Sequence, residues 1–446
     1  MDTPNSMPER SGISVFSGGT AANSLVDVFN KIIEKRNCRL NYIIPISDNG
    51  GSSSELIRFV GGPSVGDIRS RLVRLIPNHE GDEERTALKT LFEYRLCRDP
   101  LKARAEWLDI VEARHLLWTF ISSPKRELIR SVLNTLNLEI VKRTRPTSSF
   151  NFAEASIGNM FLTGARIFSG SFESAIYLLA MICSIPPSIS VLPAINSNFT
   201  HHISAGLTNG THITGQVAIS HPSAPTALPD DQSSLSHPIP GFDYNNEDAN
   251  LPGSLPALRR QHIAFSKEDD DNDDLPARIE RVWYINPYGH EIWPVANPKV
   301  IDALRQSRTV IYSIGSLYTS IIPSIILRGV GQAIAEQGVR HRVLILNSKN
   351  DRETGPKKEA LSAKEFIEAI ARAAGDGANG EVRRFVSHLI YLEGEGVPKV
   401  DVGQLEKEGI KCVKVAGRWV GEGRGRGLRY DELELARALE EIVDEE

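Results

Sequence analysis

The segment ISDNGGSSSELIRFVGGPSVGDIRSR, residues 46–71, sets glycines, small hydroxyl and amide side chains and two aspartates between an apolar run and a helical pattern. Gly50, Gly51, Gly61, Gly62 and Gly66 admit backbone angles closed to other residues and let main-chain N–H groups approach a ligand. Ser52, Ser53 and Ser54 add hydroxyls beside them. Such a set suits an anion, above all a phosphate. Asp48 and Asp67 next to a phosphate-shaped pocket are explained if a carboxylate holds a metal ion or a sugar hydroxyl. The plain alternative is a glycine-rich surface turn.

Two further segments repeat this grammar. Gly18, Gly19 and Thr20 make a tight turn after the apolar run Ile13 to Ser17. Gly315, Ser316, Leu317, Tyr318, Thr319 and Ser320 follow the buried-type run Thr309 to Ile314, and Pro323 is placed to start a helix. A strand that opens into small and hydroxyl residues and then a helix presents N–H groups and hydroxyls to an anion.

The elements that must position these loops follow from periodicity. Ile13–Ser17, the helical spacing of Leu25, Val28, Phe29, Ile32 and Ile33, and Tyr42–Ile46 make a βαβ unit over residues 13–47, with parallel strands and a right-handed crossover. Ligands of open α/β sheets gather at the carboxyl ends of the strands, so Gly19 and Asp48 should face one crevice. Residues 81–143 read as a helical insert, with helices over Glu83–Leu96, Leu101–Leu117 and Lys125–Leu136; His115 there reads as a packed residue. The turn Ser156, Ile157, Gly158, Asn159 leads into the helical MFLTGARIF, and strands are expected at Val191–Ala194 and Gly215–Ile219. His201, His202, His212 and His221 match no zinc spacing and read as scattered surface residues.

Residues 222–278 are rich in proline, serine and aspartate and read as a disordered acidic insertion, because few apolar groups offset the entropy of ordering them. Beyond it come strands at Val282–Ile285, Arg342–Leu346, His388–Leu392 and Cys412–Val415, a capping box of Ser362 with Glu365, and an amphipathic terminal helix through Leu433, Ala436, Leu439 and Val443. GRWVGEGRGRGLR reads as a solvated loop.

Bulk properties exclude several classes. A net charge of -5 over 446 residues lacks the basic excess of a nucleic-acid binder. Cys38, Cys97, Cys183 and Cys412 are scattered and form no CxxC pair, which fits reduced intracellular thiols. The N-terminus is polar, and the apolar window Ala175–Ile195 is broken by Pro186, Pro187 and Pro193, so neither a signal peptide nor a membrane span is expected and the location reads as cytoplasmic. GxxxxGK[ST], HExxH and GxSxG are missing, and GGTAAN does not supply a dinucleotide fingerprint.

SGGTAANSL at 17–25, SDNGGSSSELIR with VGDIRSRL at 47–72, SIGNMFLTGA at 156–165 and IGSLYTSIIP at 314–323 together resemble the CofD and YvcK family, and NSKNDRETG at 347–355 resembles its asparagine-containing loop. The segments stand in the family's order, and the resemblance covers nearly the whole chain outside the two inserts. It implies a Rossmann-like α/β fold, a doubly wound, mostly parallel sheet over a discontinuous domain 12–446. CofD enzymes are magnesium-dependent transferases that move a 2-phospho-lactyl group from a guanosine-diphosphate-activated donor, LPPG, to the deazaflavin Fo. The YvcK branch instead resembles a nucleotide-sugar-binding regulator of carbon metabolism.

By this resemblance Gly18, Gly19 and Thr20 would lie against phosphate, with Asp48 near a magnesium ion or the acceptor hydroxyl. Asn49, Gly50, Gly51, Ser52, Ser53 and Asn159 would line the site, Asp67 and Arg69 its rim, and Gly315, Ser316, Thr319, Ser320 and Asn347 the nucleotide side. Asp48 and Arg69 would be catalytic, Asp48 also the metal ligand. The ligand would be a nucleotide diphosphate, with neither nucleic acid nor membrane as partner, and a homodimer is implied. Ala21 stands where the family has glycine, Asp48-Asn49 where it has paired aspartates, and Ser313-Ile314 where it has Gly-Pro.

Overall fold

The computed structural model describes residues 11–19, 21–47, 50–77, 81–146, 148–220, 255, 258, 274–375, 381–421 and 427–445. Its strands are β1 (Gly12–Phe16), β2 (Leu40–Ile44), β3 (Ile189–Pro193), β4 (His202–Leu207), β5 (His212–Thr214), β6 (Ile279–Ile285), β7 (Glu291–Ile292), β8 (Ser307–Tyr312), β9 (His341–Ile345), β10 (His388–Tyr391), β11 (Lys411–Lys414), β12 (Gly417–Val420) and β13 (Gly427–Tyr430).

Seven of them form one sheet in the order β11-β10-β9-β8-β1-β2-β3. Every pairing in it is parallel. The near-continuous apolar runs of β1, β2 and β8 are what strands covered by helices on both faces require. Strand order reverses between β1 and β8, so the sheet is doubly wound and its switch point lies at that pair. Phe16 and Tyr312 stack there with ring centroids 5.6 Å apart, just below the ends of the two strands. The βαβ unit is present as β1, the helix Val26–Arg36 and β2. Asn37, at φ 49, turns the chain out of that helix.

The helices Glu83–Glu93, Pro100–Val111 and Ser123–Arg143 occupy the 81–143 insert. Asp82 and Asp99 cap the first two by accepting the N–H groups of Arg85 and Lys102. The second helix stops at Val111, short of the expected Leu117, where Ala113 takes φ 60. Leu88, Trp107, Leu133 and Leu136 belong to the same apolar core as the sheet, so the insert extends the domain's core. His115 is packed against Tyr94 and accepts the Leu117 N–H.

Four expectations need correcting. Gly215–Ile219 is not a strand: Gly215 takes φ 90, Ile219 N–H bonds back to its carbonyl, and the helix Gln216–Ser220 follows. GRWVGEGRGRGLR is not only a loop, because β12 and β13 pair antiparallel across it and Tyr430 buries its hydroxyl against the Leu346 and Ile390 carbonyls. Ser156–Asn159 is not a turn before a helix; the helix Ile157–Ser169 already contains Gly158 and Asn159. His202 is buried in β4 and not at the surface, and desolvation holds its imidazole down at about 4.

An antiparallel sheet, β5-β4-β6-β7, stands beside the main one. Of the 222–278 segment, Leu255, Leu258 and 274–278 are described, with Leu275 buried and Arg278 bonded to Glu365. The rest of that expectation, and His221, lie outside the described residues.

Candidate functional site

The carboxyl ends of β1, β2, β8 and β9 carry the loops that the sequence singled out. Gly18 follows β1 in a space closed to any side chain: a Cβ there would lie 2.8 Å from Ser320 Cβ, 2.9 Å from its Oγ and 3.2 Å from Asp67 Oδ2. Gly19, at φ 51, turns its backbone toward the Asp67 carboxylate and hydrogen-bonds it. Burial pushes the Asp67 carboxyl up, opposed by that hydrogen bond and by Arg71 and Arg69. Gly18, Gly19, Asp67 and Ser320 therefore meet at one point although they come from three distant segments.

A second cluster adjoins the first. Asn159, 3% exposed, donates from Nδ2 to Ser52 Oγ at 3.0 Å and Ser53 Oγ at 3.4 Å. Its Oδ1 accepts from Arg69 Nε at 3.1 Å. Arg69 and Asp67 share the first turn of the helix Gly66–Arg74, so this network joins the two clusters. Gly158 is required beside it, since a Cβ would sit 2.5 Å from the Phe92 carbonyl and 2.8 Å from Arg69 Cγ.

Three helix N-terminal turns thus converge: Gly51–Val60 through Ser52 and Ser53, Gly66–Arg74 through Asp67 and Arg69, and Ile157–Ser169 through Gly158 and Asn159. None of the three has a side-chain cap. Their N–H groups and dipoles favour negative charge, and the Arg69 guanidinium reinforces them. Burial, with Arg95 nearby, lowers Arg69 to about 10, so it keeps its charge at neutral pH. Its edge toward Asn159 is held through Nε, which orients the remaining donors.

The β8 loop is built differently. Residues Leu317–Ile321 form a single π-helical turn. Glu353, 1% exposed, closes its amino end: Oε2 accepts the Tyr318 and Thr319 N–H groups at 2.9 and 3.0 Å, and Oε1 bonds the Thr319 hydroxyl. Burial, aided by Asp351, raises the Glu353 carboxyl to about 8. Asn347 clasps Gly315 from both sides, accepting its N–H at 3.0 Å and donating to its carbonyl at 2.8 Å. Ser316 accepts the Ser320 N–H at 2.9 Å. Thr319 and Asn347 therefore shape this loop, while Ser320 is the residue of the segment that reaches Gly18.

Thr20, Asp48 and Asn49 lie outside the described residues. Gly50 and Gly51 are the N-cap and first residue of the helix Gly51–Val60. Two residues escaped the sequence reading. Glu353 sits in the quoted NDRETG segment, where the Asp351–Thr354 capping box was the available signal. Arg71, 1% exposed, stacks 4.4 Å over Tyr42 and bonds the Ala22 carbonyl and Ser17 Oγ at 3.3 and 3.4 Å, so it underpins both ends of the Gly18–Gly19 loop.

Comparison with known proteins shows the fold and the family. A yeast protein, Uncharacterized protein YNL011C of Saccharomyces cerevisiae, is 40% identical over 432 residues, 91% of this chain and 95% of its own. A protein of Aquifex aeolicus named "Putative gluconeogenesis factor" is 21% identical over 97% of both chains. Protein BH3568 of Bacillus halodurans, described as a member of the UPF0052 family, has the same fold, with a TM-score of 0.58, 18% identity, and coverage of 97% of this chain and 99% of that one. No helix among the described residues is long and apolar enough to cross a membrane. Residues 13–421 match the family described as 2-phospho-L-lactate transferase CofD, and the chain belongs to that family.

Proposed function

We propose that the chain is a CofD-type transferase that binds a nucleotide-diphosphate-activated donor across the β1/β8 switch point and passes its distal phosphoryl group, with a lactyl-type substituent, to an acceptor hydroxyl. The observation that carries this reading is the meeting of three uncapped helix N-termini and Arg69 beside a glycine loop that excludes side chains. In the transfer, the acceptor oxygen bonds to the distal phosphorus, and the bond from that phosphorus to the nucleoside monophosphate breaks. The hydroxyl proton leaves to solvent, and Asp48 has by resemblance the role of orienting that hydroxyl. Arg69 and the helix N–H groups stabilise the charge that collects on the departing monophosphate.

A magnesium ion fits the donors present. The Asp67 carboxylate and the Ser320 hydroxyl converge on Gly18, and an all-oxygen set of this kind suits a hard cation that keeps several waters. Asp67, Ser320 and, by resemblance, Asp48 would hold it. Bound there, it would neutralise phosphate charge.

A second reading is a non-catalytic sensor of a nucleotide sugar. Asn49, in place of the family's second aspartate, favours it, as does the name of the Aquifex aeolicus relative. Thermal shift with guanosine-diphosphate-linked donors and with UDP-sugars, each with magnesium, separates the two, because a bound ligand stabilises by mass action. Stabilisation by the guanosine donor together with release of its monophosphate supports the transferase. Stabilisation by UDP-sugars alone, with no turnover, would sink it in favour of the sensor.

A further inference from the structure

The amino ends of the strands carry a second group of metal-ligating side chains, on the far edge of the sheet from the crevice. His341 opens β9, His388 opens β10, and Glu445 follows the terminal helix Glu432–Asp444. Their donor atoms all lie within 4.8 Å of one another. His341 is 4% exposed and His388 5%.

His341 is the residue that asks for a ligand. Both of its ring nitrogens are buried and neither makes a hydrogen bond of good geometry, the Glu445 backbone offering only a marginal one. A buried polar group left in that state costs about 1–3 kcal/mol. Its environment also keeps it neutral, since burial, His388 and Arg308 hold the imidazole down at about 4. A neutral imidazole has the lone pair that a metal takes.

The neighbours complete the set. His388 Nδ1 lies 2.9 Å from Ser387 Oγ, and Ser387 Oγ lies 3.3 Å from the Arg342 carbonyl. Without an ion, His388 donates from Nε2 to Glu445 Oε2 at 3.4 Å; with one, the Ser387 proton turns to that carbonyl, His388 donates from Nδ1, and its Nε2 lone pair is freed for the metal. This is the outer-sphere contact that sets the tautomer of a ligating histidine. Arg308 Nη2 donates to the Glu445 backbone carbonyl at 2.8 Å and so anchors that residue at the site.

We propose that His341, His388 and Glu445 form a binding site for a zinc-class dication that pins the end of the terminal helix to the amino ends of β9 and β10. Two imidazole nitrogens and one carboxylate suit zinc at about 2.0–2.2 Å per bond, with water in the fourth position. The group must contract on binding, and one contact must change. Lys411 now pairs with Glu445 Oε2, and its side chain is 61% exposed. A dication takes over the neutralisation of Glu445, and Lys411 turns to solvent.

The test uses the full chain, stripped with chelator and titrated calorimetrically with Zn2+ alone in the presence of excess Mg2+, which keeps the crevice supplied with its own ion. The expected result is one equivalent per chain and a zinc-dependent rise in Tm. His341→Gln, His388→Gln and Glu445→Gln should each weaken binding by about tenfold or more, whereas Lys411→Met should tighten it because Glu445 is released. The exposed position of Glu445 keeps Glu445→Gln informative even if a buried histidine variant does not fold. Absence of zinc binding, or binding that survives Glu445→Gln and His341→Gln unchanged, overturns the proposal.

Discussion

Two loops written in nearly the same residues end up with opposite roles. Residues 50–53 and 315–320 both follow a parallel strand and both combine glycine with small hydroxyl residues. At the first, the helix Gly51–Val60 starts without a side-chain cap, and its serines turn to Asn159 and, through it, to Arg69. At the second, the π-helical turn Leu317–Ile321 has its amino end filled by the carboxylate of Glu353. A positive helix end calls for negative charge in either case. In the second loop the protein supplies the acceptor itself, through a Glu353 carboxyl that burial keeps largely protonated at neutral pH, whereas the N-cap of the first has no side chain to offer. Residue grammar identifies a loop whose N–H groups seek an acceptor, and the neighbours decide where that acceptor comes from.

The sharpest way to break this contrast is to remove the internal acceptor. Glu353→Ala strands the Tyr318 and Thr319 N–H groups and the Thr319 hydroxyl in a buried site. It should destabilise the protein by about 3 kcal/mol or more in urea unfolding. Glu353→Gln, which keeps an acceptor, should cost about a third as much. A wild-type midpoint for Glu353→Ala would mean that the carboxylate does not hold the loop.

At the loop that follows β1 the corresponding change is Gly18→Val. Its side chain would run into Ser320 and Asp67, at 2.8 and 3.2 Å from the first added carbon. Nucleotide-diphosphate binding should fall by about a hundredfold, as expected for roughly 3 kcal/mol of overpacking. Isothermal titration against the ligand that stabilises the wild type measures it, and retained affinity would remove Gly18 from the site.

A smaller effect is expected at Arg69. Arg69→Ala should weaken binding about thirtyfold, from loss of roughly 2 kcal/mol of charge-assisted hydrogen bonding. Arg69→Ala in the presence of 0.5 M salt, against the wild type in the same salt, should show a reduced salt dependence. Equal salt slopes would show that the guanidinium does not meet the anion.

The smallest effect is on pH. Burial raises the Glu353 carboxyl to about 8. The folded protein therefore holds a proton that the unfolded chain releases. Its stabilising contribution is full below the ordinary carboxyl range and is lost as pH rises through the raised value. Tm should decline by a few degrees between about pH 5 and pH 8 and level off above, and Glu353→Gln should flatten the decline. An unchanged slope in that variant would assign the pH dependence to other groups.

Much of the architecture was legible because it is local. The insert helices and the Ser362–Glu365 capping box depend on residues within one or two turns of each other, the βαβ unit and parallel sheet were announced by local apolar runs, and each is present. The failures are equally instructive. Gly215–Ile219 has strand-like residues, but a positive φ at Gly215 redirects it into a helix. Gly158 reads as a turn glycine, yet it lies inside a helix because Phe92 and Arg69 leave no room for a Cβ. Glu353 was unreadable as the closure of the β8 loop, since its partners stand more than thirty residues away and no local pattern announces them.

By itself the sequence determined most of the strands and helices, that glycine and hydroxyl loops follow β1, β2 and β8, and that the order of its motifs matches one family. Those properties follow from backbone freedom, hydrophobic period and turn chemistry, which act over a few residues. Only the tertiary structure decided that Asn159 joins Ser52 across 107 positions, that Ser320 closes on Gly18, and that Glu353 fills the amino end of the β8 turn. Those outcomes depend on strand order and on where burial forces each polar group to find its partner, and that requirement is met in three dimensions among residues distant in the chain.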